Sequence, residues 1–264
     1  MHSKTQVVIL CGGQGTRLRE RTEELPKPMV EIGGMPILWH IMKSYSHYGF
    51  REFILCLGYK ADKIKEFFLN FREWHKGDFT LEWGSQVERL RAQSPEHTED
   101  WKITFAETGS ETNTGGRVKR IEKYIHDSPF FLTYGDGLAN INFQEQMKHH
   151  KKHKRCATLT CVQPKSQYGI VEMNEQNVIL RYLEKPKMKQ WVNGGFFVFN
   201  KEIFKYICEN EILEREPLER LEQKRELVAY PFHEFWACMD TYKDTQQLND
   251  LWNRGEAPWK SWPE

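Results

Sequence analysis

The chain has 264 residues, 39% hydrophobic and 13% aromatic, enough for the core of one large domain over 1–264. Its 38 Lys and Arg against 37 Asp and Glu leave a formal net charge of +1, which argues against nucleic acid as a partner. No stretch of about 18 apolar residues occurs, so no membrane-spanning helix and no membrane partner are expected. Met1-His-Ser-Lys runs straight into an apolar stretch, and the six cysteines form no C-x-x-C pair. Both features read as a cytoplasmic protein with free thiols, without a signal peptide and without a zinc site.

In chain order, the apolar residues Val7 to Leu10 predict a buried strand over 6–11 that stops at Gly12-Gly13-Gln14-Gly15-Thr16-Arg17. Pro36 opens a helix over Ile37–Tyr48 that Gly49 ends. A strand at 52–57 and a helix over Asp62–Phe71 follow, the latter with Ile64, Phe67 and Phe68 on one face. Strand-helix-strand alternation predicts a βαβ unit and a parallel sheet, hence the α/β class. Leu81-Glu82-Trp83 and Lys102 to Phe105 are strand-like. The polar stretch Val87–Asp100 between them is longer than an ordinary hairpin loop and reads as a mobile excursion or as a lid or subunit contact. Thr114-Gly115-Gly116-Arg117 precedes a helix over Val118–Ile125. The strand 130–134 ends in Tyr134-Gly135-Asp136-Gly137.

Lys148 to Arg155 continues a helix as a basic face, and its lysines disfavour a metal site at His149, His150 and His153. Strands at 156–162, 168–173 and 192–199 predict a mixed sheet in the second half. A helix over Thr241–Asn253 stops at Gly255, and a tail with Trp259 and Trp262 is expected to dock on the core or on a neighbouring subunit.

A strand, a Gly-rich turn and the cations Arg17 and Lys27 form a grip for a nucleoside triphosphate. Glycines admit backbone N–H groups close to an anion, and the planar Arg17 forks onto phosphate oxygens. A Walker loop is excluded, since Gly-Lys-Ser/Thr does not occur. The dinucleotide fingerprint fits Gly13 and Gly15 but has Leu18 in place of its third glycine. The pattern G-G-x-G-T-R-L followed by P-K-P fits from Gly12 to Leu18 and from Pro26 to Pro28 without exception. Asp136 at the carboxyl end of a strand and Asp240 in Met239-Asp240-Thr241 offer two hard oxygen donors, suited to Mg2+ shared with triphosphate oxygens. No Ser-His or Cys-His nucleophile signature accompanies them.

These motifs resemble those of the sugar nucleotidyltransferases, the nucleoside-diphosphate-sugar pyrophosphorylases, and within them the cytidylyl branch. The likeness extends through Lys27 to Met42, Thr114 to Arg117, Tyr134 to Gly137, Glu184 to Lys187, Asn193 to Phe197, Met239 to Thr241 and Ala257 to Lys260. It implies a Rossmann-like nucleotidyltransferase fold with a mixed, mainly parallel sheet. A nucleotide-binding part would span about 1–140, a sugar-phosphate part about 141–240, and a C-terminal helix and tail about 241–264. The partners it implies are CTP and a sugar 1-phosphate, most closely glucose 1-phosphate, with Mg2+ as cofactor and a homo-oligomer as the assembly.

By the same resemblance Arg17, Lys27, Asp136 and Asp240 are the catalytic set, with Asp136 and Asp240 on the metal. Leu10, Gly12, Gly13, Gly15, Thr16, Arg17, Lys27, Thr114, Gly115, Gly116 and Arg117 bind nucleotide. Gly169, Glu184, Lys185, Asn193 and Gly194 bind the sugar phosphate. Met188-Lys189-Gln190-Trp191 departs from the Gly-Asp-rich stretch usual after Glu-Lys-Pro-Lys, which leaves the acceptor more open than the reaction. The alternatives are the same chemistry with another triphosphate or a non-glucose acceptor, and a catalytically silent regulatory subunit.

Overall fold

The computed structural model describes residues 3–13, 25–70, 79–82, 89–92 and 99–263. The chain opens with β1 (Ser3–Leu10), the short hairpin β2 (Glu31–Ile32) and β3 (Met35–Pro36), helix α1 (Ile37–His47), β4 (Phe50–Leu57) and helix α2 (Ala61–Asn70). Strand β5 (Phe79–Glu82) pairs antiparallel with β6 (Arg89–Ala92), which lies within the stretch read as a polar excursion, so a strand replaces part of the expected loop; residues 93–98 of that stretch lie outside the described residues. Then come β7 (Lys102–Glu107), α3 (Thr114–Arg120), β8 (Phe130–Tyr134), β9 (Gly137–Ala139) and α4 (Phe143–His153). The second half holds β10 (Ala157–Val162), β11 (Ile170–Met173), β12 (Ile179–Leu183), β13 (Val192–Phe199), α5 (Glu216–Gln223), β14 (Leu227–Pro231), β15 (Trp236–Cys238) and α6 (Tyr242–Asn253).

Among the described residues the central sheet runs β14-β10-β13-β8-β1-β4-β7. Only β13 runs antiparallel to its neighbours β10 and β8; the other pairings are parallel. The mixed, mainly parallel α/β sheet expected from the pattern is therefore present. Successive residues of a strand face opposite sides. Val7 and Ile9 accordingly meet Ile37, Leu38, Ile41 and Tyr45 of α1, while Val8 packs on the other side with Val118, Ile121 and Phe204. Because helices cover both faces, the central strands are apolar throughout rather than alternating.

Helix α1 ends where expected, with Gly49 at φ +89°. Helix α3 corrects the expected Val118–Ile125: it starts at Thr114, closes at Arg120, and continues as a single 3-10 turn over Glu122–Tyr124. The basic end of α4 follows from its macrodipole, which favours cations at a C-terminus. One member of that face turns inward: His150 is buried between Thr158 Oγ1 (2.9 Å) and Asn200 Oδ1 (3.2 Å). The aromatic tail docks on the chain's own core. Trp259 is fully buried, and it and Trp252 pack edge-on against His40 of α1. No helix among the described residues is long and apolar enough to cross a membrane.

Candidate active site

The carboxyl ends of β1 and β8 open into a cavity of about 490 Å3 walled by Leu10, Cys11, Gly12 and Gly13 on one side. Tyr134, Gly135 and Asp136 form a second wall, and Asn113, Thr114, Ile212 and Glu214 a third. Ligands of open α/β sheets collect at such carboxyl ends.

Lys27 reaches the floor of this cavity through its two prolines. Pro26 is extended (φ −68°, ψ 149°) and the next three residues form a 3-10 turn. The ring of Pro28 lies where a Cβ on Gly135 would stand 2.8 Å from its Cγ, so only glycine admits this approach. Gly135 N–H also donates to Leu10 carbonyl at 3.0 Å, locking the Gly135-Asp136 turn onto the end of β1.

With the backbone held this way, Lys27 Nζ sits 2.5 Å from Asp136 Oδ2 and 2.8 Å from Asp240 Oδ1, its side chain only 11% exposed. Burial alone would lower the lysine pKa. The Asp136 charge and the hydrogen bonds to both carboxylates outweigh burial and raise it, so the ammonium stays charged. Asp240 comes from the far end of the chain, set by the pairing of Cys238 with Gly137 and by a 2.9 Å bond from Met239 N–H to Asp136 carbonyl. Two carboxylates and a cation share one spot, an arrangement whose oxygen donors fit a hard divalent ion.

Arg117 also lines this cavity. It is 4% exposed. Nη1 donates to Leu57 carbonyl (3.0 Å), Thr108 Oγ1 (2.8 Å) and Gly109 carbonyl (2.7 Å), and Nη2 to the carbonyls of Gly12 (2.8 Å) and Ser110 (3.2 Å). Both terminal nitrogens are thus committed to protein acceptors, and from the cavity wall Arg117 braces the Gly12 turn. A Cβ on Gly12 would stand 2.0 Å from Arg117 Nη1, which explains the glycine there. Gly115 and Gly116 likewise face the backbone of Glu211 and Asn210 rather than the cavity.

Of the remaining expected residues, Leu10, Gly12, Gly13 and Thr114 do line the cavity. Gly15, Thr16 and Arg17 lie outside the described residues. Gly169, Glu184 and Lys185 are not among its walls. They flank the exposed ribbon β11–β12, where Glu184 accepts a 2.5 Å bond from Tyr182 Oη and lies 3.7 Å from Lys185 Nζ. Asn193 Oδ1 accepts from Gly195 N–H at 2.8 Å, and Gly194 carbonyl accepts from Trp236 Nε1 at 2.7 Å.

One wall residue, Glu214, had no motif to announce it, and neither did Cys238, which clusters with Asp136 and Asp240. Glu214 bridges Tyr134 Oη and Thr114 Oγ1, the latter at 2.7 Å, tying the end of β8 to the start of α3. No local pattern connects residue 214 with either partner, so only the fold shows it. Cys238 stands only two residues before Asp240 and shares its cluster.

The fold and this cavity define a nucleotidyltransferase-type α/β protein, and the chain belongs to the nucleotidyl transferase family, whose pattern matches residues 6–257. It is 44% identical over 259 residues to the probable glucose-1-phosphate cytidylyltransferase of Bacillus subtilis (strain 168), covering 97% of this chain and 100% of that one. With the glucose-1-phosphate cytidylyltransferase of Salmonella typhimurium it shares 44% over 260 residues, 97% of this chain and 99% of the other. Among solved structures, a UDP-glucose pyrophosphorylase complexed with UDP-glucose superposes with a TM-score of 0.68 at 15% identity, covering 97% and 100% of the two chains, which shows the fold. Enzymes of this family generally use a divalent metal.

Proposed function

We propose that this protein transfers a cytidylyl group from CTP to glucose 1-phosphate, releasing pyrophosphate and CDP-glucose. Identity of 43–44% to glucose-1-phosphate cytidylyltransferases over 97% of the chain supports the substrates. The observation that carries the chemistry is Lys27, held between Asp136 and Asp240 beside the Gly12-Gly13 turn.

An oxygen of the sugar phosphate attacks the α-phosphorus of CTP. The new P–O bond forms as the bond to the β-phosphate breaks on the opposite side, and the electron pair leaves with pyrophosphate. A phosphate monoester has its second pKa near 6, so at neutral pH the nucleophile is already largely dianionic and needs no protein base. What remains for the protein is positioning and charge compensation. Lys27 neutralises charge at the reacting phosphorus. The backbone of Gly12 and Gly13 lies against the nucleotide, held by Arg117 from behind. Arg17 compensates the leaving pyrophosphate. Lys185 and Glu184 hold the acceptor phosphate and sugar hydroxyls, with Gly169, Asn193 and Gly194 beside them. Asp136 and Asp240 would hold Mg2+, which when bound supplies charge neutralisation and orientation.

Pyrophosphate release measured for the four common ribonucleoside triphosphates against a panel of sugar 1-phosphates tests this reading. CTP with glucose 1-phosphate is expected to turn over fastest. A preference for another triphosphate would overturn the cytidylyl assignment, and no turnover with any pair would overturn the transfer reaction.

A further inference from the structure

Cys238 has no part in the transfer chemistry above, yet it stands inside the cluster that performs it. It ends β15, two residues before Asp240. Pairing with Gly137 then sets Asp136 next to them. One donor atom from each of Asp136, Cys238 and Asp240 lies within 4.8 Å of the others. The spot already attracts a positive charge, since the Lys27 ammonium bridges the two carboxylates in the free protein. Mg2+ is a hard ion that takes oxygen donors and keeps its waters, which leaves the sulfur without use. Thiolate favours borderline and soft ions, and three protein donors with one open position is the coordination of a zinc-type site.

We propose that Asp136, Cys238 and Asp240 form a mixed oxygen–sulfur site for thiophilic divalent cations of the zinc and cadmium class, which compete with the hard ion of the nucleotide reaction. This rests on the reading of Asp136 and Asp240 as metal ligands and extends it. Tetrahedral Zn2+ with bonds of about 2.0 Å to oxygen and 2.3 Å to sulfur needs donors roughly 3.5 Å apart, so donors already within 4.8 Å of one another need only a small closure on binding. Binding forms a metal–sulfur bond, releases the thiol proton to solvent and displaces the Lys27 ammonium from the carboxylates.

Cadmium chloride titrated into the full-length protein without nucleotide tests the proposal through the thiolate-to-cadmium charge-transfer absorption in the ultraviolet. A saturable band at one equivalent is expected. It should vanish in Cys238→Ser, persist in Cys208→Ser, and weaken at least about tenfold in affinity in Asp136→Asn. Lys27→Met should tighten cadmium binding, because the competing cation is gone. Thermal melts establish that each variant is folded. Absence of the band in the folded wild type, or its survival in Cys238→Ser, overturns the proposal. Mn2+ binding in the presence of CTP, followed by electron paramagnetic resonance, separates the two readings. If it depends on Asp136 and Asp240 while cadmium gives no thiolate band, the sulfur site fails and the hard-metal site stands. If it ignores both aspartates, the hard-metal reading fails whatever cadmium does.

Discussion

Arg117 puts a full positive charge where water hardly reaches and meets carbonyls instead of a carboxylate. Five acceptors from three separate turns converge on two nitrogens, so the side chain is a brace that fixes the Gly12 turn against residues 57 and 108–110. Lysine keeps the charge but lacks the planar fork. Arg117→Lys should therefore cost about 2–3 kcal/mol, since bonds from a charged donor contribute about 1.5–3 kcal/mol and several would be lost. The KM for CTP should rise with it. Unchanged stability in a thermal melt would contradict the bracing role. Lys27 and Lys185 present the opposite contrast, two phosphate-binding candidates in different surroundings. Lys27 is enclosed by carboxylates, whereas Lys185 stands exposed at the ribbon with φ +44°. Lys27→Ala should lower kcat and kcat/KM together, because charge redistributes at the α-phosphorus in the transition state. Lys185→Ala should raise KM for the sugar phosphate, by about 10- to 150-fold for a contact of about 1.5–3 kcal/mol, and leave KM for CTP nearly unchanged. Steady-state kinetics with each substrate varied in turn decides; an effect of Lys185→Ala on CTP alone would reverse the two half-sites.

At the scale of an element, α6 shows how a helix start can serve a reaction. Thr241 is its N-cap, and Asp244 closes the capping box: Thr241 Oγ1 accepts from Asp244 N–H at 3.2 Å, and Asp244 Oδ2 accepts from Thr241 N–H at 2.7 Å. The same Oδ2 accepts from Asp240 N–H at 3.1 Å, so the cap also fixes the backbone of the cavity carboxylate. Asp244→Ala should cost about 1 kcal/mol as a lost cap, or roughly 2–4 °C in Tm for a chain of this size. With Asp240 in its proposed role on Mg2+, it should also lower kcat about tenfold, the cost expected when an outer partner of a metal ligand is removed. A fall in Tm with unchanged kcat would confine Asp244 to the helix. The boundaries of α1 and α6 were legible because their signals are local: Pro36 with Gly49, and Thr241 with Gly255. The start of α3 was misplaced because two glycines in its first turn read as a loop. They are helical because only glycine lets that turn lie against the backbone of Asn210 and Glu211, residues almost one hundred positions away.

At the scale of the molecule, the C-terminal tail is a clasp on α1. His40 is fully buried beneath Trp252 and Trp259; Trp259 Nε1 donates to His40 Nδ1 at 3.4 Å, while His40 Nε2 lies 2.8 Å from Ile32 carbonyl. Burial, opposed only in part by backbone bonds, lowers the His40 pKa from 6.5 to about 4. The folded state thus binds fewer protons than the unfolded one between those values. Stability from this residue is full above pH 6.5 and is lost as pH falls toward 4. At about 1.4 kcal/mol per pH unit the loss amounts to about 3 kcal/mol. Thermal melts from pH 7 to 4 should show a steeper loss for the wild type than for His40→Gln, which cannot titrate. Parallel curves for the two proteins would rule out His40 as the cause.

The sequence by itself determined the parts whose information is local: apolar strand runs, helix caps, the Gly-rich turn, the Pro-Lys-Pro turn and the two acidic motifs. Each of these is a statement about backbone conformation or residue chemistry within a few positions, and the family follows from their order. Only the tertiary structure decided which of those groups meet. Lys27 finds Asp136 and Asp240 across separations of 109 and 213 residues, Arg117 braces Gly12 from the cavity wall, Glu214 enters a cavity without a motif, and Cys238 joins the carboxylates. The physical reason is that sheet order and strand register, which no local pattern specifies, set which side chains share a space.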